Sequence, residues 1–370
     1  MNQPIAKTKA ILIDLIHPRM LARHSLERLE ELENLVNTYG GIVIVKKYQK
    51  RFAPHPKTYI GTGKVKELAQ EGKELGAKLL IVNDALKPRQ SYDIQEVIGK
   101  SGLQVWDRLD LILKIFAKHA STTEARLEIE LASLRHMGPR IFGMGMELSR
   151  QAGGIGTVGV GETNIEIMKR HLKEKERKIK EKLEKYQRVR ATQRQSRKRQ
   201  GLKTIAIVGY TNAGKTTLLN VLTGRQEYAA NELFATLDTR VGQLYLPDRQ
   251  ESVLLSDTIG FIKHLPPELL NAFASTLSEA VDADALLHVI DVADPHVLQQ
   301  IQVVEDILIR LKIQNTPRLL VFNKADQISR VQLNELLARF SHHLPHVVVS
   351  CQSRQGLPDL IQRLESLIQN

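Results

Sequence analysis

Apolar residues along this chain follow two rhythms. In residues 1–115, short apolar runs such as AILIDLI (10–16), GGIVIVKKY (40–48) and AKLLIVNDA (77–85) alternate with stretches of helical spacing. In those stretches Leu26, Leu29, Leu32 and Leu35 recur every third position, and KVKELAQEGKEL (64–75) follows later. Compact apolar runs read as strands and the three-to-four spacing as amphipathic helices, so 1–115 predicts an α/β domain of parallel βαβ units. From Ala120 to Met137 the pattern is helical, with Leu127, Leu131 and Leu134 on one face, and Gly138-Pro139 predicts its end. IFGMGMELSRQAGGIGTVGVGE (141–162) carries seven glycines and predicts a loop. Ile165, Met168, Leu172, Ile179, Leu183 and Tyr186 then predict a second long helix. The two helices are expected to fold back as an antiparallel hairpin over 116–190, with the glycine loop at its tip. Charge without periodicity predicts a basic linker at 191–202. From 203 to 370, TIAIVG, SVLLSD, ALLHVIDV, RLLVFNK and HVVVS are spaced by helical stretches, which predicts a doubly wound domain.

A length of 370 residues is too great for one ordinary core and fits this division. No run approaches the roughly 18 apolar residues of a transmembrane helix. Asp14 interrupts the first apolar run, so no signal peptide is expected, and Cys351 as the single cysteine excludes an internal disulfide and fits a reducing cytoplasm. The net charge of +12 is local: 16 Lys or Arg stand against 4 Glu between Lys169 and Lys203, and the remainder balances at 37 against 37. In the first half of that segment, pairs such as Glu174 with Lys178 also suit a solvated helix face. Between Arg188 and Arg199 there is no acid, and Arg188, Arg190, Arg194 and Arg197 are candidate contacts to RNA phosphate.

The chemistry is carried by the second α/β domain. GYTNAGKT (Gly209, Tyr210, Thr211, Asn212, Ala213, Gly214, Lys215, Thr216) stands between an apolar strand and the helical TTLLNVL that continues from Thr216 and Thr217. That is the context of a phosphate-binding loop. Backbone N–H groups and the helix N-terminus would hold phosphate, Lys215 would reach the β and γ oxygens, and Thr216 would ligate Mg²⁺. Asn323-Lys324-Ala325-Asp326 follows a strand, and a carboxylate at Asp326 can accept from the two N–H groups of guanine that adenine lacks there. Asn323 would tie this loop to the phosphate loop and the stem of Lys324 would cover the base. Ser350-Cys351 after HVVVS would offer a backbone N–H to the guanine oxygen. Asp257-Thr258-Ile259-Gly260 matches DxxG, with Asp257 on Mg²⁺ through water and the Gly260 N–H at the γ-phosphate. In FATLDTR (234–240), Thr236 is the candidate switch and Mg²⁺ threonine, with Thr239 as the competing assignment. Phe261 stands where Ras-like GTPases carry a water-orienting glutamine, so slow intrinsic hydrolysis is expected.

Taken together, YIGTGKVKEL (59–68), the segment 106–134, RQAGGIGTVGVGET (150–163), LFATLDTR and DTIGFIKHLP resemble the HflX-type GTPases over nearly the whole chain. The resemblance implies a cytoplasmic GTPase using GTP/GDP and Mg²⁺, acting as a monomer on the rRNA of the large ribosomal subunit, stimulated by it and splitting stalled or idle ribosomes under stress. Arg150, Gly153, Gly154 and Gly156 in the tip loop are then expected RNA contacts. Val158 and Val160 replace an arginine and a proline of the family's GGIGTRGPGE, which predicts a weaker tip contact. The small C-terminal domain of many members is expected to be absent. Some members bind ATP through the N-terminal domain, but GTGK (61–64) is expected to open a helix. The competing reading is a regulatory GTPase switch whose basic hairpin docks an acidic protein or an anionic membrane surface.

Overall fold

The computed structural model describes residues 7–151, 160–224, 240–263, 274–340 and 345–368. Contacts divide the chain into two compact units, one of Met1–Lys118 with Leu127–Leu183, the other of His119–Arg126 with Glu184–Asn370.

In the first unit the elements run β1 (Thr8–Ile16), α1 (Ala22–Tyr39), β2 (Gly41–Lys50), α2 (Thr62–Leu75), β3 (Leu79–Val82), α3 (Pro88–Ile98), β4 (Gln104–Asp107) and α4 (Arg108–His119). Four parallel strands lie in the order β2-β1-β3-β4. The inner strands β1 and β3 are the apolar runs read from the sequence. All four residues of β3 are buried, as parallel strands covered on both faces require. At the edge, β2 alternates buried or half-buried positions with exposed Lys46, Tyr48 and Lys50. Leu29, Leu32 and Leu35 of α1 are fully buried, whereas Leu26 is exposed. Lys64 lies in the first turn of α2 and pairs with Glu67 at 2.7 Å, so GTGK opens a helix.

Two long helices follow, α5 (Thr123–Gln151) and α6 (Val160–Arg199). Leu127 and Leu131 pack on Ile179 and Leu183, and Arg135 meets Glu176 at 3.0 Å, which gives the expected antiparallel pair. Two details depart from the sequence reading. Gly138-Pro139 does not end α5; Pro139 lies inside it. Proline there forfeits one intrahelical bond, but the residues on either side of it are anchored. His136 Nε2 lies 3.1 Å from Asp110 and 3.3 Å from Asp107, and Arg140 spans the same two carboxylates at 2.6 and 2.5 Å. The expected linker at 191–202 is likewise helical as far as Arg199. Arg190, Arg194 and Arg197 recur at helical spacing, and the helix presents them together to acids: Arg190 to Glu124, Arg194 to Asp282 and Arg197 to Glu279.

The second unit continues with β5 (Thr204–Gly209), α7 (Lys215–Thr223), β6 (Arg240–Leu246), β7 (Glu251–Asp257), α8 (Ala274–Val281), β8 (Ala285–Asp291), α9 (Val297–Arg310), β9 (Arg318–Asn323), α10 (Arg330–Ala338), β10 (His346–Val348) and α11 (Leu357–Ile368). Its six strands lie in the order β10-β9-β8-β5-β7-β6, all parallel except β6 against β7. Ile205, Ile207, Leu218, Leu255, Leu287, Val321 and Leu364 fill the core on one face of the sheet. Among the described residues, no helix is long and apolar enough to cross a membrane.

Candidate nucleotide site

Strand β5 ends at Gly209, and after five intervening residues α7 starts at Lys215. The loop between them can be built only with glycine at two points. Gly209 has a φ of 153°, and a Cβ on it would lie 2.3 Å from the Val289 carbonyl oxygen on β8. Gly214 has a φ of 93°, and a Cβ on it would lie 2.3 Å from Asn323 Nδ2. Asn212 also takes a left-handed backbone, at φ 64°, a conformation asparagine tolerates better than most residues. The loop therefore runs into the N-terminus of α7, where backbone N–H groups favour an anion.

Lys215 is buried, and its Nζ donates to the Tyr210 carbonyl at 2.8 Å. Burial lowers its pKa to about 8, against the opposing attraction of Asp257. The next residue, Thr216, donates its hydroxyl to Asp257 Oδ2 at 2.7 Å. Asp257 ends β7 and is fully buried. A hydroxyl and a carboxylate oxygen side by side form a hard-oxygen pair suited to Mg²⁺. Thr217 follows in the first turn of α7.

Beyond Asp257 the chain passes close over the loop. A Cβ on Gly260 would lie 2.9 Å from Thr211 Cα and 3.1 Å from Lys215 Nζ, so only glycine lets this backbone approach the lysine. Phe261 is fully buried and forms an isolated parallel bridge with Tyr210. Its N–H donates to the Gly209 carbonyl at 3.1 Å, and its carbonyl accepts from the Thr211 N–H at 2.8 Å.

The NKAD end of the site is assembled from β9 and β10. Asn323, buried at the end of β9, donates through Nδ2 to the Ala213 carbonyl at 2.9 Å and accepts at Oδ1 from the Cys351 N–H at 3.2 Å. One side chain thus ties together the phosphate loop, the NKAD turn and the loop after β10. Lys324 pairs with Asp291 at 2.6 Å. Asp326 is exposed in the short turn Ala325–Gln327. The Ser350 N–H donates to the Gln355 carbonyl, so the N–H groups of both Ser350 and Cys351 have protein acceptors. Burial first, and then the charge of Asp326, push the Cys351 thiol up to about 12, which leaves it neutral.

The structure thus gathers Gly209 through Thr217, Asp257, Gly260, Asn323, Lys324, Asp326, Ser350 and Cys351 around the ends of β5, β7, β9 and β10. The sequence reading overlooked Asp291 and the Tyr210 phenol, which accepts from the Lys263 N–H at 3.0 Å; no motif marks either. Thr236 and Thr239 lie outside the described residues, as do Gly153, Gly154, Gly156 and Val158. Arg150 falls in the last turn of α5. Of the arginines picked out as RNA contacts, Arg188 is exposed, while Arg190, Arg194 and Arg197 are each paired with an acid in the same unit.

Three family models match in series. "GTP-binding GTPase N-terminal" covers 26–117, "GTP-binding GTPase Middle Region" covers 119–197, and "50S ribosome-binding GTPase" covers 204–324. The chain is 42% identical over 359 residues to the GTPase HflX of Caldanaerobacter subterraneus subsp. tengcongensis, covering 97% of this chain and 80% of that one. It is 40% identical to the GTPase HflX of Escherichia coli strain K12 over 351 residues, 95% of this chain and 81% of that one. Among solved structures it is similar to a GTP-binding protein from Sulfolobus solfataricus in complex with GDP, at a TM-score of 0.50 and 26% identity, covering 98% of this chain and 99% of that one.

Proposed function

The chain belongs to the HflX family of GTPases, and we propose from that premise that it is a cytoplasmic, Mg²⁺-dependent factor that uses GTP on the large ribosomal subunit to split or rescue stalled ribosomes. The observation carrying this reading is the succession of family matches over 26–117, 119–197 and 204–324, the last described as ribosome-binding.

In the proposed mechanism the loop N–H groups and Lys215 hold the β and γ phosphates. Asp326 selects guanine, and Asn323 fixes the loop that carries it. Thr216 and Asp257 would hold Mg²⁺, with Thr236 as the proposed third contributor; when bound, the ion would offset the charge of the transferring phosphoryl group. The Gly260 N–H would sense the γ-phosphate. No glutamine follows it, and the buried Phe261 ring cannot orient a water molecule. Intrinsic turnover is therefore slow in this reading, and the ribosome supplies or repositions the missing group. The exposed Arg188, together with Arg150 and Gly153, Gly154 and Gly156 of the tip loop, would meet rRNA. Arg190, Arg194 and Arg197 would do so only by exchanging their carboxylate partners for phosphate.

The test is GTP turnover by the purified protein with and without large ribosomal subunits. Stimulation by about tenfold or more, equivalent to roughly 1.4 kcal/mol of barrier, supports the reading. No stimulation with GTP binding intact, together with retention on anionic vesicles, would replace it with a regulatory switch acting at a membrane surface.

A further inference from the structure

Tyr210 occupies a position that the phosphate-binding function does not explain. Its carbonyl accepts from Lys215 Nζ at 2.8 Å, and its phenol oxygen accepts from the Lys263 N–H at 3.0 Å. Between those two contacts lies the bridge from Gly209 and Thr211 to Phe261. One residue therefore engages both the lysine that must reach the γ-phosphate and the segment that directly follows the sensing Gly260. In this arrangement Lys215 is folded back onto its own loop. Gly260 stands so near that a Cβ on it would be 3.1 Å from the ammonium.

We infer that Tyr210 is a positioning residue that latches the DxxG segment onto the phosphate loop and thereby biases the site toward GDP over GTP. The inference rests on the GTPase reading above and extends it to the choice between the two nucleotides. A γ-phosphate has to enter between Lys215 and the Gly260 backbone. To receive it, Lys215 leaves the Tyr210 carbonyl, and the segment from Gly260 to Lys263 shifts away from Thr211. GDP makes no such demand and leaves the latch closed. A ligand moves a two-state element only through its differential affinity for the two states. The phenol bond, present in the closed state and lost in the open one, therefore weakens GTP and spares GDP.

Removing a single neutral hydrogen bond from one of two states shifts their ratio by about two- to tenfold. Tyr210→Phe deletes the phenol oxygen while keeping the ring that packs the loop. Dissociation constants for a non-hydrolysable GTP analogue and for GDP, measured on wild type and variant by fluorescent-nucleotide displacement, give the ratio. The expected result is an analogue affinity raised relative to GDP affinity by about two- to tenfold, with a melting temperature lowered by no more than about a few degrees as the closed-state bond is lost. In the GDP complex, amide hydrogen exchange at Lys263 should also quicken in the variant. Equal changes for both nucleotides, or unchanged exchange at Lys263, would overturn the latch. Wild-type protein that bound neither guanine nucleotide would instead overturn the GTPase reading, and this control separates the two failures.

Discussion

Lys215 illustrates how one buried side chain sets a pH dependence. Free in water a lysine would stay charged well above pH 8, but burial brings this one down to about 8 despite Asp257. In the folded chain without phosphate, the ammonium therefore loses its proton as pH passes 8. In the proposed site, bound phosphate requires the charged form, so binding would take up a proton above that pH. Nucleotide affinity should then fall by about tenfold between pH 7 and pH 9, as read by titration calorimetry at fixed ionic strength, with proton uptake visible in buffers of different ionisation enthalpy. Phe261 leads to a second prediction. The sequence shows only that glutamine is missing after Gly260. The structure adds that the ring is fully buried and the backbone is bonded to the phosphate loop. Phe261→Gln should therefore not restore a water-orienting amide. It should bury an unpartnered one, costing about 1–3 kcal/mol, seen as a lower denaturation midpoint with no gain in turnover.

Among the elements, α5 shows where sequence pattern and tertiary structure part. Gly138-Pro139 is a strong stop signal, and the helix passes through it because Asp107 and Asp110 grip His136 and Arg140 on either side. Those carboxylates also bond reciprocally to each other's backbone N–H at the start of α4. Partners so distant in sequence leave no periodic trace, and this is why the continuation was illegible while the leucine stripe that starts α5 was not. The four groups form a charge lock, with Arg140 supplying the cation that a metal would otherwise bring. Burial alone would lower the His136 pKa, but the carboxylates of Asp107 and Asp110 overcome it and raise the value to about 9. Since the folded value exceeds the ordinary 6.5, the stabilisation is complete below about pH 6.5 and disappears as pH rises through 9. Thermal stability should therefore decline across that window, and His136→Gln should flatten the decline. An undiminished pH slope in the variant would place the titrating group elsewhere. The strands, by contrast, were legible apart from the edge strands β4 and β6, because runs such as LLIV and TIAIVG are buried in parallel sheets and carry their burial in their composition.

At the scale of the whole molecule, the phosphate loop, DTIG and NKAD were readable because each places its chemistry within a few consecutive residues. Contacts group Leu127–Leu183 with the N-terminal unit, and His119–Arg126 and the chain from Glu184 onward with the GTPase unit. The root of α6 is held there by Arg190, Arg194 and Arg197 against Glu124, Asp282 and Glu279. Each pair couples residues that no local window contains, so the same arginines looked like unpartnered charge. Their helical conformation has a further consequence for proteolysis. Six Lys or Arg residues crowd into 188–199 at the end of α6, and in an extended linker they would make this the first place trypsin cut. A protease cleft takes an extended strand, so the helix must first open locally and give up its ion pairs. Limited digestion should spare this run under native conditions, and Glu279→Gln combined with Asp282→Asn should expose it, separating the chain into two fragments near Arg199.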